Sequence, residues 1–148
     1  MKYEDIEFAV VNNEHYELTH ACIKSINAQC INNINNIRVI DNSSKIEFKN
    51  IFSNVDVISN FNNELFFKDS TFGGDTLHSL AIEYLIKTST KKYMILCDSD
   101  VIFKKDLDFL YNDDINSYAS IFEQLIIKKD DVNRALPFLQ VFNIELLK

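Results

Sequence analysis

The sequence predicts an α/β fold built around a mostly parallel sheet, and three observations carry that prediction. Short apolar runs of strand length alternate along the chain with segments whose apolar residues repeat at helical spacing, the pattern of βαβ units. One of these runs, Tyr93-Met94-Ile95-Leu96, leads directly into Cys97-Asp98-Ser99-Asp100, so two carboxylates emerge where a buried strand should end. In open α/β sheets the ligand crevice lies outside the carboxyl ends of the strands. Third, a hydrophobic content of 47% and a charged content of 25% are those of a globular chain, and 148 residues suffice for one domain, 1–148, with a core of its own.

Taken in order, residues 6–11 (Ile-Glu-Phe-Ala-Val-Val) read as a first strand, stopped by Asn12-Asn13. Residues 15–28 carry apolar side chains at Leu18, Ala21, Cys22 and Ile26, a helical spacing. Residues 37–40 form a short second strand that ends in Asp41-Asn42-Ser43-Ser44, a cluster of turn and cap formers, and residues 55–58 a third, closed by Ser59-Asn60. Residues 61–72 have no clean period and read as a loop ending at Gly73-Gly74. The helix that follows presents Leu77, Leu80, Ala81, Tyr84, Leu85 and Thr88 as one stripe. After the strand at 93–97 come the aspartate pair and Val101-Ile102-Phe103, then a short helix from Asp106 through Tyr111 with Asp106 at its start. Residues 118–127 mix strand-like and helical features. Residues 137–144, opening at Pro137, read as a last strand, and 145–148 as a terminus.

Only two glycines and one proline serve a chain that must turn many times. Asparagine takes their place at Asn12-Asn13, Asn32-Asn33, Asn35-Asn36 and Asn62-Asn63, because it tolerates left-handed backbone better than other residues with a side chain. A formal net charge of −7 argues against a nucleic-acid partner, since polyanion binding needs clustered cations. The pairs Lys104-Lys105 and Lys128-Lys129 each adjoin aspartates and read as mixed-charge surface. Three cysteines, Cys22, Cys30 and Cys97, without C-x-x-C spacing fit a reducing compartment, so the expected location is the cytoplasm. The N-terminus has neither the apolar region of a signal peptide nor a membrane-spanning length, which leaves peripheral attachment at the inner face of the membrane open.

The chemistry concentrates on strand ends. Two carboxylates one residue apart repel unless a cation or a proton joins them, so Asp98 and Asp100 predict a divalent metal and with it a phosphorylated ligand. Asp41 follows a different strand, and in a parallel sheet neighbouring strand ends share one edge; the alternative is an ordinary turn carboxylate. His78, one turn into the glycine-led helix, either donates to phosphate or is a partly exposed helix residue. His15 and His20 stand at i and i+5, poor geometry for a shared metal, and read as surface residues.

These segments also resemble family-2 glycosyltransferases. Residues 11–26, with Glu17-Leu18, Cys22 and Ser25-Ile26, look like that family's first strand end and first helix. Residues 37–44 resemble its second strand and Asp-Asn-x-Ser end, Gly73 to Tyr84 its glycine-led helix, and residues 93–103 its Asp-x-Asp strand. The four blocks occur in the family's order. The resemblance implies a GT-A fold, a Rossmann-like three-layer α/β/α domain, that takes a nucleotide-diphosphate sugar, UDP-linked by expectation, and uses Mn²⁺ or Mg²⁺. On that reading Val11, Asn12 and Asn13 border the base, Asp41 accepts from the base edge and Asn42 lies beside it. Asp98 meets the ribose or a metal-bound water, and Asp100 ligates the metal between the two phosphates. The acceptor would be a glycan or glycolipid of bacterial polysaccharide assembly, and the outcome inversion at the anomeric carbon; homo-oligomerisation stays open.

Two departures from the family stand out. It often has Arg or Asn where this chain has His78. Its general base, an Asp or Glu, usually lies well beyond the Asp-x-Asp, and here 148 − 100 leaves 48 residues after Asp100. Residues 134–143 resemble the start of the acceptor side, but the acidic segment expected after it is missing, and Glu123, Asp130 and Asp131 read as surface charges. The catalytic base is therefore unassigned and the acceptor half largely missing. Two alternatives follow: a non-catalytic nucleotide-sugar-binding or assembly subunit derived from such an enzyme, and a haloacid dehalogenase-like phosphatase with Asp98 as nucleophile, which normally needs far more sequence after its Asp-x-Asp.

Overall fold

The computed structural model describes residues 3–29, 36–43, 48–59, 74–104, 119–120 and 139–147. The loop expected at 61–72, Gly73, the short helix from Asp106, most of 118–127 and the start of the last strand at Pro137 lie outside the described residues, as do Cys30, Glu123, Asp130 and Asp131.

After a 3₁₀ turn at Tyr3–Asp5, the described elements run β1 (Ile6–Asn12), α1 (Tyr16–Gln29), β2 (Ile37–Asp41), β3 (Val55–Ser59), α2 (Gly74–Thr88), β4 (Tyr93–Asp98), β5 (Ala119–Ser120), β6 (Leu139–Asn143) and α3 (Ile144–Leu147). They form one sheet of order β3-β2-β1-β4-β6-β5. Strands β1 to β4 are mutually parallel, while β6 runs antiparallel to β4 and β5 antiparallel to β6. The expected mostly parallel α/β sheet is therefore what forms.

Every residue of β1 is buried, as a central parallel strand covered on both faces must be. Its side chains alternate between two cores. Ile6, Phe8 and Val10 join Cys22, Ile23 and Ile26 of α1, together with Ile95 and Cys97 of β4. Ala9 and Val11 join Ala81 and Leu85 of α2, Met94 and Leu96 of β4, and Ile144. With α1 on one face and α2 and α3 on the other, the layers are α/β/α. Among the described residues no helix is long and apolar enough to cross a membrane.

The structure corrects the expected inner face of α1. Cys22 and Ile26 point inward, but so do Thr19, Ile23 and Ser25, whereas Ala21 is exposed and Leu18 is 44% exposed. Thr19 and Ser25 lie outside the apolar set of this helix. They turn inward because buried polar groups await them: Thr19 Oγ1 donates to Asn12 Oδ1 at 2.7 Å, and Ser25 Oγ accepts from the Phe103 N–H at 3.0 Å. On α2, Ala81 and Leu85 are buried, Leu77, Leu80 and Tyr84 half-buried, and Thr88 exposed. The last strand stops one residue earlier than expected. Asn143 Oδ1 accepts the Glu145 N–H at 3.1 Å, an N-cap that starts α3 where only a terminus was foreseen.

Glu7 is a charge in the buried strand β1. Arg38 of β2 approaches it at 3.5 Å and spends its other contacts on the Leu85 carbonyl at 3.4 Å and Thr88 Oγ1 at 2.6 Å, tying the sheet to the end of α2. Removing one member of such a pair strands the other charge. Arg38→Ala should cost about 3 kcal/mol of stability, and Glu7→Leu/Arg38→Met should recover most of it, as read from urea unfolding. Ile51→Ala, at a side chain 62% exposed, should stay within about 0.5 kcal/mol of the parent.

Candidate functional site

Parallel register sets the strand ends side by side. Asn12 of β1 pairs with Asp41 of β2, Asp41 with Ser59 of β3, and Val11 with Asp98 of β4. A cleft of about 440 Å³ opens along this carboxyl edge. Val11, Asn13, His15 and Leu18 line it from the β1–α1 connection, Asn42 from the end of β2, Leu77 and His78 from the first turns of α2, and Asp98, Ser99 and Asp100 from the end of β4. Because β1 lies between β2 and β4, its residues form the floor between Asn42 and the aspartates.

Local chemistry shapes each wall. After Asp98 the chain turns sharply, the Val101 N–H bonding to the Asp98 carbonyl at 3.2 Å, which leaves Asp98 half-buried and Asp100 exposed. The segment beyond is anchored by the bond from the Phe103 N–H to Ser25, and by the Phe103 ring, edge-on to Phe8 at 6.0 Å. Burial pushes the Asp98 carboxyl above its ordinary range; His78 opposes that rise and Asp100 adds to it. Beneath the turn, Cys22 Sγ donates to the Asp98 carbonyl at 3.8 Å. The hydrogen bond with Cys22, then burial, raise the Cys97 thiol well above its usual range, so it stays protonated.

The β1–α1 connection is the other shaped wall. Glu14 has φ 62°, left-handed backbone that costs a residue with a Cβ about 1 kcal/mol. Its N–H is directed to Ser43 Oγ at 3.1 Å, and the His15 carbonyl then accepts the first bond of α1, from the Thr19 N–H at 2.9 Å.

Six of the eight expected site residues thus meet in one cleft: Val11, Asn13, Asn42, His78, Asp98 and Asp100. Asp41 does not line it. It is 1% exposed, and its carboxylate receives Asn12 Nδ2 at 2.8 Å, the Ser43 N–H at 3.2 Å, the Ser43 hydroxyl, and the Phe48 N–H at 3.0 Å. Asn12, expected beside the base, is fully buried as well.

Sequence reasoning missed His15, Leu18, Leu77 and Ser99 as lining residues. Leu18 carries no such signal in the sequence: it shares the i, i+4, i+8 stripe of Cys22 and Ile26, and only the structure shows it exposed beside the strand ends. His20 is not free surface. Its ring packs 5.0 Å from Phe48, and Nε2 lies 3.0 Å from the Lys49 carbonyl, holding the β2–β3 connection on α1.

A second concavity of about 460 Å³ lies at the amino ends of the strands, around Arg38, Asp56 and Lys91. Its cations have partners within the fold, Arg38 as described and Lys91 Nζ on the Glu4 carbonyl at 2.8 Å. The carboxyl-edge cleft, with carboxylates and a histidine converging from several elements, is the candidate site.

This α/β fold, with its mostly parallel sheet, matches that of a GT-A glycosyltransferase. The particular likeness is to the crystal structure of the apo-form glycosyltransferase GlyE of Streptococcus pneumoniae TIGR4: TM-score 0.54 and 13% identity over 95% of this chain. The match takes in 34% of the GlyE chain, so this chain spans about a third of that structure. Comparison with protein-family models gives no match, and comparison with curated protein sequences gives none either.

The buried thiols supply a check on the packing beneath the site. At pH 8 in the native protein, Cys22 and Cys97 should react with iodoacetamide at least ~100-fold more slowly than in urea, because the thiolate is the nucleophile and burial excludes the reagent. Peptide mapping reads the two positions separately; rapid native labelling of Cys97 would contradict this placement.

Proposed function

We propose that the chain is a nucleotide-sugar-binding domain of an inverting glycosyltransferase, with the donor, UDP-linked by expectation, in the carboxyl-edge cleft. One observation supports this above the others: Asn42, His78, Asp98 and Asp100, from three separate elements, converge with the β1 end on one concavity of a GT-A fold. Asn13 and Asn42 supply hydrogen-bonding groups toward the base, and Val11 an apolar floor. His78 and the amino end of α2 face the diphosphate, where helix N–H groups and the macrodipole favour negative charge.

Asp98 and Asp100 would hold Mn²⁺ or Mg²⁺. The donor set fits a hard dication, since both offer carboxylate oxygens and their mutual repulsion contributes to the raised Asp98 carboxyl. Among the described residues no group of three or more metal-ligating side chains gathers, so the remaining ligands would have to come from substrate phosphates and water. When bound, such an ion offsets charge on the departing nucleoside diphosphate. Asp98 and Asp100 orient that end, and Leu18 and Val11 keep the nucleoside side apolar. The acceptor is a glycan or glycolipid, met in the cytoplasm or at the inner face of the membrane. Among the described residues no further carboxylate lines the cleft, so the general base is left unassigned.

UDP at 100 times its Kd should add about 2.7 kcal/mol, raising Tm by roughly 5–10 °C, and the rise should require Mn²⁺ or Mg²⁺. Asp100→Asn should abolish the metal-dependent part; if it left that part intact, the metal assignment would be wrong. His78→Ala should weaken UDP by about 3- to 10-fold, measured by calorimetry, as expected for one lost bond to a charged phosphate. Release of UDP from a UDP-sugar separates a transferase from a binding subunit, and hydrolysis of a phosphomonoester would sink both in favour of phosphatase chemistry.

A further inference from the structure

We infer that Asp41 is a positioning residue that holds the nucleoside side of the cleft in shape and does not read the base. The inference rests on the donor-site reading above and assigns Asp41 a different task within it.

Three observations carry it. Asp41 is 1% exposed and absent from the cleft lining, while its neighbour Asn42 lines it. Its oxygens are already engaged. Oδ1 accepts from Asn12 Nδ2, the Ser43 N–H and the Ser43 hydroxyl, and Oδ2 accepts from the Phe48 N–H. The third observation is the order of residues along the chain, because each inward member of the network adjoins an outward member of the cleft. Asn12 stands between Val11 and Asn13, Asn42 between Asp41 and Ser43, and Thr19 beside Leu18.

The bonds join these segments into one unit. Asn12 Oδ1 accepts from Thr19 Oγ1 at 2.7 Å, and Nδ2 reaches Ser43 Oγ at 3.3 Å besides Asp41. Ser43 Oγ also accepts the N–H of left-handed Glu14, and the Asn42 N–H bonds to the Asn12 carbonyl at 2.9 Å. A donor base that recruited Asp41 would have to displace bonds that fix Asn13, His15 and Asn42. Buried polar groups left without partners cost more than the bonds they would form, so the network resists that exchange.

The test uses calorimetric titration with UDP, CDP, GDP and ADP in Mn²⁺ on the parent protein and on Asp41→Asn, Ser43→Ala, Thr19→Val and Thr19→Ser. Asp41→Asn should weaken all nucleotides that bind by a common factor of about 10 and keep their ranking, the loss of one charged hydrogen bond's worth of ordering. Thr19→Val should act in the same direction, and Thr19→Ser, which keeps the hydroxyl, should return affinity to within about 2-fold of the parent. This rescue, measured well below Tm, is what a loss of global stability would not produce. A change of ranking by more than tenfold in Asp41→Asn would show that Asp41 reads the base, and unchanged affinities would show that it positions nothing; either overturns the inference.

If Asp41→Asn does not fold, Ser43→Ala and the Thr19 pair decide the question by the same criteria. If the parent binds none of the four nucleotides, the donor-site reading fails by itself. Hydrogen exchange then decides the positioning claim: faster exchange at Ser43 and Phe48 in the Asp41 or Ser43 variant, with β1 and β4 unchanged, supports it, and unaltered exchange overturns it.

Discussion

Strand β1 is hydrogen-bonded to a parallel neighbour on each edge and covered by helices on each face, and the other elements take their positions from it. A strand with no exposed face cannot slip by one residue without exchanging its two sets of side chains between cores. Phe8 and Val10 would then meet α2 where Ala9 and Val11 are needed, and the small Ala9 would leave space under α1. The register that brings Asn12 to Asp41 and Val11 to Asp98 is thus fixed by packing far below the cleft. The site inherits its geometry from the core.

Polar groups complete what apolar packing begins. The carboxyl ends of β1 and β2 are sealed by the Asn12–Asp41–Ser43 network, while the end of β4 is left open with two aspartates facing a cleft. The contrast is one of satisfaction. Asp41 has donors on both oxygens, whereas Asp98 is half-buried beside Asp100, with its carboxyl raised by burial and by that neighbour. A carboxylate already provided with partners shapes a loop, and one held in a partly dry, like-charged setting favours a proton or a cation. Identical residue types at the ends of β2 and β4, on either side of β1, therefore meet different surroundings.

The helices were legible to different depths. The 3.6-residue spacing located α1 and α2 to within a residue or two, and the run Tyr93 to Leu96 located β4, because apolar periodicity reports burial directly. On α1 the apolar set misled at Leu18 and Ala21, which are exposed, and did not include Thr19 and Ser25, which are buried. Hydropathy scores a hydroxyl as outward, yet Thr19 and Ser25 meet buried partners separated from them by 7 and 78 positions along the chain. Leu18 lines the cleft at the first turn of α1 although its spacing matches that of Cys22 and Ile26. The N-cap at Asn143 that begins α3 was visible as a residue type, but its effect depended on where β6 stopped.

By itself the sequence determined the α/β alternation and the strand-end placement of Asp98 and Asp100, because both follow from local periodicity and from the polarity of a parallel sheet; Val11, Asn13 and Asn42 were expected at the site only through the family resemblance. Strand order, the antiparallel β6, the exposure of Leu18 and the burial of Asp41 were decided only in the tertiary structure. Those depend on which groups remain unpaired after the sheet assembles, and hydrogen bonds between distant residues are chosen by that assembly.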